Sequence, residues 1–431
     1  MRTMHLLASS ALAFLSLPAC SSLTCGPGTV QEGDQCVPTD PGDGGTGDGG
    51  TGDGGAGDGG AGDGGGTAGD GGTAGDGGGD GGGTGDGGGT GDGGGTGDGG
   101  GGDGGGGDGG SSELIFAPFV DATLYPVARL GEIADETGVT TYSLGFLVAQ
   151  AAGDCTPSWG GYYSLEAGPD SWGTSGQYFL YDEIDAVRAS GGDVVVSLGG
   201  AAGTPLEVAC DSVDALSAQL RAIVDTLDLT TLDFDVEGAW LADDESVTRR
   251  NAAIAALQAE LADEGRSLDV WFTLPVLPSG ITADGQALLA DALSQGVDIA
   301  GVNVMTMDYG DGAAPDPDGR MGEYAIDAVT ALHGQMADLW RDAGHTPTDA
   351  ELWARIGATP MIGLNDVVTE TFYLEDARQL REFALDQGMG LLSMWSVNRD
   401  HPCPDSEWVE LTCSSTEDQT EDWQFMAALG G

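Results

Sequence analysis

Lysine is absent from this sequence of 431 residues, and its basic residues are thirteen arginines. Aspartate and glutamate together number 70, which gives a formal net charge of −57. Proteins bind phosphate backbones through clusters of cationic side chains, and this chain has too few cations to form them. A nucleic-acid partner is therefore excluded, whereas a neutral substrate is compatible with this charge.

Motifs that bind metals are also missing. No Cys-x-x-Cys pair occurs, and the four histidines are scattered along the chain. Structural and catalytic zinc sites need such ligands close together in space. We therefore expect neither a metal nor a cofactor.

The N-terminal apolar stretch, residues 6–17, is too short to span a membrane but has the length of a secretory signal core. It follows Arg2 and leads into Leu17, Pro18, Ala19 and Cys20, an ending that resembles a bacterial lipobox. We predict that residues 1–20 are a signal peptide and that Cys20 is lipidated. An exported lipoprotein held at the outer membrane, on the cell surface or the periplasmic side, would result. Ordinary cleavage with release to the medium is the alternative.

Removal of Cys20 to a lipid anchor leaves six cysteines, an even number that indicates disulfides in an exported chain. Residues 21–40 form a short segment that contains two of them. Sequence alone does not determine the connectivity among six cysteines. Local spacing suggests the pairs Cys25–Cys36 and Cys403–Cys413, which leaves Cys155 with Cys210.

Residues 41–112 repeat Gly-Asp-Gly-Gly with threonine or alanine spacers. Such a segment has almost nothing to bury and much backbone entropy to lose on folding, so we predict a disordered linker. As a glycine-rich coil it would span roughly 45–50 Å. A calcium-binding β-roll would need alternating apolar residues, which this repeat does not have.

Residues 113–431 alternate apolar, β-rich runs with helical-period segments, the pattern of repeated βα units. This pattern predicts a (β/α)8 TIM barrel. A doubly wound sheet would need a glycine-rich phosphate turn after its first strand, and residues 119–123 do not form one. The eight predicted strands are residues 115–120, 141–148, 193–199, 231–238, 268–276, 299–307, 355–363 and 390–396.

The fourth predicted strand carries Asp233, Asp235 and Glu237 at alternate positions, so all three side chains lie on one face. Barrel interiors are normally filled with branched apolar side chains, and neighbouring carboxylates cannot all stay ionised. At least one pKa must therefore rise, as a general acid at neutral pH requires. Glu237 lies at the carboxyl end of its strand, where barrel enzymes place catalysis. A solvated acidic edge strand is the alternative.

Three strand ends, taken in order, carry a family resemblance. They are Ser-Leu-Gly-Gly at residues 197–200, Asp-Phe-Asp-Val-Glu at residues 233–237 and the late Trp395. Together they resemble glycoside hydrolase family 18, the chitinases, and in particular bacterial secreted chitinase-like domains. Residues 155–161 and 360–366 also resemble that subgroup. The resemblance covers residues 114–410 and implies a monomeric TIM-barrel hydrolase whose partner is a chitin-like polysaccharide.

The resemblance also implies roles for individual residues. Glu237 would protonate the leaving glycosidic oxygen, and Asp235 would orient the substrate's N-acetyl group for its own attack on the anomeric carbon. Asp233 would share a proton with Asp235, and Trp395 would stack beneath the sugar. Substrate contacts would come from polar and apolar groups at other strand ends, namely Ser197, Met305, Asp308, Asn365 and Asn398.

The chain departs from the family pattern in two places. An aspartate seven residues before the acid is replaced by Thr230, and the tyrosine of Met-x-Tyr-Asp is replaced by Met307. Methionine cannot donate a hydrogen bond to an acetamido group. Tyr309 lies two residues further on, hence on the same face of an extended strand, and is our candidate for the missing catalytic hydroxyl.

Retaining hydrolysis of β-1,4-linked N-acetylglucosamine polymers is thus the predicted function. An endo-β-N-acetylglucosaminidase or a peptidoglycan-directed hydrolase would use the same carboxylates. A non-catalytic chitin-binding lectin would keep the barrel, although such relatives typically lose the acid that Glu237 represents.

Overall fold

The computed structural model describes residues 29–32, 35–38, 114–165, 180–403, 406 and 408–431. Strands β1 (Thr29–Glu32) and β2 (Gln35–Pro38) form an antiparallel hairpin in a unit separate from the rest. The predicted lipidation site Cys20, the predicted linker 41–112 and Cys25 of the predicted Cys25–Cys36 pair lie outside the described residues.

Fourteen strands of the second unit lie in its described part. They are β3 (Ile115–Phe116), β4 (Phe119–Asp121), β5 (Thr141–Ala151), β6 (Asp154–Trp159), β7 (Tyr163–Ser164), β8 (Asp193–Gly199), β9 (Thr231–Asp235), β10 (Asp269–Leu277), β11 (Gly280–Ile281), β12 (Ile299–Met305), β13 (Ile356–Thr359), β14 (Gly363–Leu364), β15 (Thr371–Phe372) and β16 (Leu391–Leu392).

Ten helices are described in the same unit. They are α1 (Leu130–Thr137), α2 (Tyr181–Ala189), α3 (Leu206–Ala209), α4 (Val213–Leu227), α5 (Asp244–Asp263), α6 (Ala283–Gln295), α7 (Met321–Asp342), α8 (Asp349–Trp353), α9 (Leu374–Gln387) and α10 (Gln424–Gly430).

Eight parallel strand positions close into a ring. The first position is split, because β3 pairs with β16 and β4 pairs with β5. From β5 the parallel pairing continues through β8, β9, β10, β12 and β13 back to β16. Helices alternate with these strands along the chain, so the predicted (β/α)8 barrel is confirmed.

The strand bounds follow the apolar runs closely in the first half of the barrel and less closely in the second. The third strand occupies residues 193–199 as predicted. The last strand was expected over residues 390–396 but comprises only Leu391–Leu392. Beyond it, Trp395 makes single bridges to Phe119 and Met361 rather than a continuous ladder.

Helix α4 illustrates how local sequence determines the outer layer. It begins at Ser212, whose side chain accepts a hydrogen bond from the Ala215 backbone nitrogen, and ends at Asp228 in a left-handed conformation. Its buried residues recur at three- and four-residue spacing, which forms one apolar face against the barrel. They are Leu216, Leu220, Ile223, Val224 and Leu227.

Two of the predicted disulfides lie in the described residues. Cys155 at the start of β6 bonds to Cys210 at the end of α3, and Cys403 bonds to Cys413. Both pairings agree with the prediction. Among the described helices, none is long and apolar enough to cross a bilayer.

Candidate active site

Strand β9 brings the three predicted acids to one face of the barrel wall. Asp233 and Asp235 are buried, and Glu237 lies just beyond the strand. The backbone at Glu237 is still extended, with φ −140° and ψ 176°, so the alternation of side chains continues through it. Gly238 then turns the chain with φ +60°. Asp233 and Asp235 therefore lie inside the barrel, and Glu237 lies at its rim.

The Ser-x-Gly-Gly segment of β8 supports this strand through its backbone. Gly199 has φ +109°, and a side chain there would place its Cβ 2.1 Å from the Asp235 carbonyl oxygen. The next residue, Gly200, donates its backbone N–H to that same oxygen at 3.0 Å. Only glycine at position 199 allows this approach, which fixes the height of Asp235 in the barrel.

Asp233 is held by hydroxyl groups from both neighbouring strands. Ser197 on β8 donates to one carboxyl oxygen at 2.6 Å, and Thr273 on β10 donates to the other at 2.7 Å. Asn303 on β12 donates in turn to Thr273 at 3.0 Å and to Thr359 on β13 at 2.7 Å. Burial raises the pKa of Asp233 to about 6, and the hydroxyl donors oppose that rise.

Asp235 has a different environment. One of its carboxyl oxygens, Oδ1, is buried and has no hydrogen-bond partner in the described part of the chain. Burial raises the pKa of Asp235 well above its ordinary value, and the charges of Glu237 and Asp233 raise it further. A carboxyl group in this environment retains its proton or accepts a hydrogen bond from a ligand.

Glu237 is partly buried at the mouth of the barrel. Burial raises its pKa, and the charge of Asp308, beyond the end of β12, raises it further. The side chain is still accessible to a ligand. A protonated, accessible carboxyl group beside a second carboxyl group can donate a proton to a leaving oxygen.

The expectation for Tyr309 is wrong. Strand β12 ends at Met305, and Asp308 has a left-handed backbone with φ +52°, so the alternation that placed Tyr309 on the acid face breaks down. Tyr309 is buried instead, with its ring edge against Tyr324 of α7 at a centroid distance of 6.2 Å. Its hydroxyl has no partner among the described residues. Tyr309 therefore does not replace the family's tyrosine, whose position in this chain is occupied by Met307.

Trp395 lies half-buried at the end of the eighth strand position, as predicted. Its ring stacks on Phe146 at a centroid distance of 5.7 Å and an angle of 22°, and it also contacts Phe119. Met305 is half-buried at the carboxyl end of β12. An indole held by aromatic neighbours at a barrel mouth suits stacking on the apolar face of a sugar.

Three predicted substrate contacts bind other groups of the protein. Ser197 is fully buried and donates to Asp233. Asn365 is also fully buried, and its amide donates to the Met361 and Gly363 carbonyls. The Asn398 side chain is occupied by the backbone of Asp121, from which it accepts at 2.8 Å and to which it donates at 3.2 Å. Polarity at a strand end did not distinguish an inward from an outward side chain.

Several residues that shape the site were not assigned from sequence. Thr273 and Asn303 extend the polar layer around Asp233, and Phe146 supports Trp395. Position within a predicted strand could have indicated Thr273 and Asn303, since both are polar residues in apolar runs. Glu370 lies in a loop and gave no signal. The described residues contain no cluster of three or more acidic, histidine or cysteine side chains able to hold a metal.

Comparisons with known proteins add independent information. No family model matches the chain. A probable bifunctional chitinase/lysozyme of Escherichia coli (strain K12) is 40% identical over 292 residues, which are 67% of this chain and 31% of that protein. Endochitinase 11 of Metarhizium anisopliae is 39% identical over 303 residues, 69% of this chain and 54% of that protein.

A solved structure decides the assignment. The catalytic domain of a hyperthermophilic chitinase from Pyrococcus furiosus is 31% identical, with a TM-score of 0.63, and the match covers 74% of this chain and 94% of that domain. The chain belongs to glycoside hydrolase family 18, the chitinases. It spans 31% and 54% of the two sequence relatives' lengths. Membership of family 18 agrees with the barrel and with the predicted resemblance.

Proposed function

We propose that this chain hydrolyses β-1,4-linked N-acetylglucosamine polymers, with Glu237 as general acid and base. The observation that carries the proposal is the pair formed by Asp235 and Glu237. Asp235 is buried with an unpartnered carboxyl oxygen, and Glu237 lies partly exposed beside it with a raised pKa. The names of the two sequence relatives include chitinase and endochitinase, which supports the choice of substrate.

The proposed reaction retains the anomeric configuration. Glu237 donates its proton to the glycosidic oxygen as the C–O bond breaks, and the acetamido oxygen of the same sugar attacks the anomeric carbon. The ionised Glu237 then takes a proton from water, whose oxygen bonds to the anomeric carbon and displaces the acetamido oxygen. Family 18 is a known case of this substrate-assisted route.

In this proposal the two buried aspartates support the nucleophile. Asp235 accepts a hydrogen bond from the acetamido N–H through its unpartnered oxygen, which orients the acetamido oxygen and stabilises the positive charge that develops on the group. Asp233, fixed by Ser197 and Thr273, is the neighbour with which Asp235 shares its proton. Trp395 forms the floor beneath the sugar, and Met305 and Asp308 flank it.

A substrate panel tests this proposal. The wild type and Glu237→Gln are incubated with N-acetylglucosamine oligomers, a high-mannose glycoprotein and peptidoglycan, and the released sugars are quantified. We expect the wild type to cleave the oligomers and Glu237→Gln to bind them with little cleavage. Release from the glycoprotein or peptidoglycan alone would reassign the substrate. Oligomer binding by both proteins with no cleavage by either would establish a lectin.

We also propose that the chain is an exported lipoprotein anchored through Cys20, with the glycine-rich segment as a tether. The support is the lipobox-like ending at residues 17–20 and the composition of residues 41–112. Metabolic labelling with a palmitate analogue tests this in the wild type and Cys20→Ser. The expected result is a labelled membrane-bound wild type and an unlabelled variant. An unlabelled wild type recovered from the medium would contradict it.

A further inference from the structure

Two loops at the barrel mouth are joined by carboxylates that bind backbone N–H groups. The first is the turn at residues 308–310 after β12, which contains Asp308, and the second is the turn at residues 365–370 between β14 and β15. We call this pair of turns the carboxylate clamp. Burial and then the charge of Asp308 raise the pKa of Glu237, so the clamp contains a group that acts on that acid.

The bonds of the clamp run in both directions. Glu370, from the second turn, accepts the backbone N–H of Tyr309 at 3.0 Å on one oxygen and that of Gly310 at 2.7 Å on the other. Asp308, from the first turn, accepts the backbone N–H of Val367 at 2.8 Å. Each turn therefore supplies a carboxylate to the backbone of the other, and Glu370 is fully buried while doing so.

The clamp fixes the backbone of Asp308 in one conformation. Its φ of +52° lies in the left-handed region, which aspartate enters more readily than most residues but leaves easily when nothing holds the turn. Tyr309 and Gly310 follow directly, and Glu370 binds both of their N–H groups. Removing that carboxylate frees the turn at the point where the direction of the Asp308 side chain is determined.

Other charged groups surround the clamp. Asp366 and Glu370 are like charges near Asp308, whereas the buried guanidinium of Arg399 is an opposite charge. Arg399 donates to the carbonyls of Ile362 and Leu364. After burial, the charge of Asp308 raises the pKa of Glu237, and the charge of Glu237 raises the pKa of Asp235.

We propose that Glu370 is a positioning residue for the acid: its carboxylate fixes the 308–310 turn and thereby the position of the Asp308 carboxylate relative to Glu237. This inference rests on the proposed function of Glu237. Glu370 does not touch the substrate in this account, and it acts only through Asp308. The consequence is a general acid that keeps its proton to higher pH than it would beside a relaxed turn.

The test is the basic limb of the kcat/KM profile on a chromogenic N-acetylglucosamine oligomer. Activity is lost as pH rises through the pKa of Glu237, so a weaker influence of Asp308 moves this limb to lower pH. We expect Glu370→Gln to shift the limb in the same direction as Asp308→Asn. The double variant is expected to show no larger shift than Asp308→Asn alone, because both changes act through one carboxylate.

Two further variants separate positioning from other effects. Glu370→Asp keeps the charge but is too short to reach both N–H groups, so it is expected to shift the limb as Glu370→Gln does. Thr369→Val removes an exposed hydrogen bond to Asp311 between the same two loops and serves as the matched control, with an unchanged profile. Glu370→Asp also keeps the test available if Glu370→Gln does not fold.

Two results would overturn the inference: Glu370 variants that lower Tm but leave the limb in place, or shifts that add in the double variant. If the wild type cleaves none of the oligomers, the proposed function fails separately. The clamp is then tested by titrating the Glu237 carboxyl carbon by NMR, in which Glu370→Asp must lower the pKa of Glu237 relative to Thr369→Val. An unchanged pKa would contradict the clamp.

Discussion

Two buried acids of this chain, Glu207 and Asp235, are each 6% exposed but are accommodated differently. Glu207 of α3 forms an ion pair at 2.9 Å with Arg250 of α5, whose guanidinium lies over the Phe272 ring. Asp235 of β9 has no cationic partner among the described residues, and its nearest charges are other carboxylates. One acid is paired with a cation, whereas burial and the neighbouring carboxylates raise the pKa of the other.

The difference shows that buried acids in this chain serve two purposes. An acid with a cationic partner stabilises the fold, and an acid without one has the raised pKa that catalysis requires. The chain has thirteen arginines for 70 acidic residues, so most of its carboxyl groups have no cationic partner. Ionising a buried carboxyl group without such a partner costs much free energy. The ion pair Glu207–Arg250 joins two helices of the outer layer. Acids that are buried together without a cation have raised pKa values, which favours the protonated form that a general acid needs.

The largest expected effect in this comparison is on catalysis. Replacing Glu237 with glutamine removes the transferable proton but keeps the shape of the side chain, so kcat should fall roughly 10²–10⁴-fold. Oligomer affinity should change little. Initial rates and isothermal titration with an N-acetylglucosamine oligomer measure both quantities, with Glu351→Gln, at an exposed position of α8, as a control. Retained activity in Glu237→Gln would show that Glu237 is not the general acid.

Breaking the ion pair should affect stability instead. Arg250→Met leaves Glu207 buried without its cation, which should reduce the free energy of unfolding by about 3–5 kcal/mol. The kcat of the folded fraction should be unchanged, because the pair lies between α3 and α5 and packs on the face of the barrel wall opposite to the acids of β9. Denaturant unfolding and active-site-normalised rates measure this. Glu207→Leu combined with Arg250→Met should recover most of the loss, and failure to do so would contradict the pairing argument.

A pH-dependent effect is expected at Asp233. Its pKa of about 6 in the folded chain lies above its ordinary value, so the folded state binds more protons between pH 4 and about pH 6. Its contribution to stability is present below that window and is lost as pH rises through it. Asp233→Asn cannot ionise and should raise the free energy of unfolding at pH 7.5 by at most about 3 kcal/mol.

The same substitution should have little effect on stability at pH 3, because Asp233 is then mostly protonated in both states. Ser197 and Thr273 can still hydrogen-bond to the amide. Thermal unfolding of the wild type and Asp233→Asn at the two pH values provides the measurement. A variant less stable than the wild type at pH 7.5 would show that Asp233 is stabilised as a carboxylate.

The smallest effect is expected at Tyr309. Tyr309→Phe removes a buried hydroxyl that has no described partner, so kcat and KM should stay within about twofold, and stability should stay equal or rise by about 1 kcal/mol. Steady-state kinetics and thermal unfolding check this. A large loss of kcat would restore the catalytic role that the fold argues against.

The alternation of β-rich runs with helical segments predicted the barrel, and the alternation of side chains along a strand predicted that the three acids share a face of β9. Asp233 and Asp235 are both buried, and the extended backbone at Glu237 continues the alternation to the rim. The rule failed for Tyr309, where the left-handed Asp308 interrupts the extension. Sequence periodicity cannot anticipate a single residue with positive φ unless it is glycine.

Contacts between loops could not be predicted from the sequence, for a different reason. Glu370 binds Tyr309 and Gly310 across 61 and 60 positions of the chain, and its bonds are to backbone N–H groups, which almost every residue carries. Asn365 and Ser197 were predicted as substrate contacts because they are polar at strand ends. Whether such a side chain lies inward depends on packing from neighbouring strands, which no local pattern contains.

In the proposed mechanism, Glu237 protonates the leaving oxygen while the substrate's own acetamido oxygen attacks the anomeric carbon. The alternative is direct attack on that carbon by an activated water molecule. Proton NMR of the first product formed from an N-acetylglucosamine oligomer tests this. At high enzyme concentration cleavage is faster than mutarotation, so the anomer that the enzyme forms can be observed. We expect the new reducing end to appear first as the β anomer. Initial formation of the α anomer would mean direct attack by water and would contradict it.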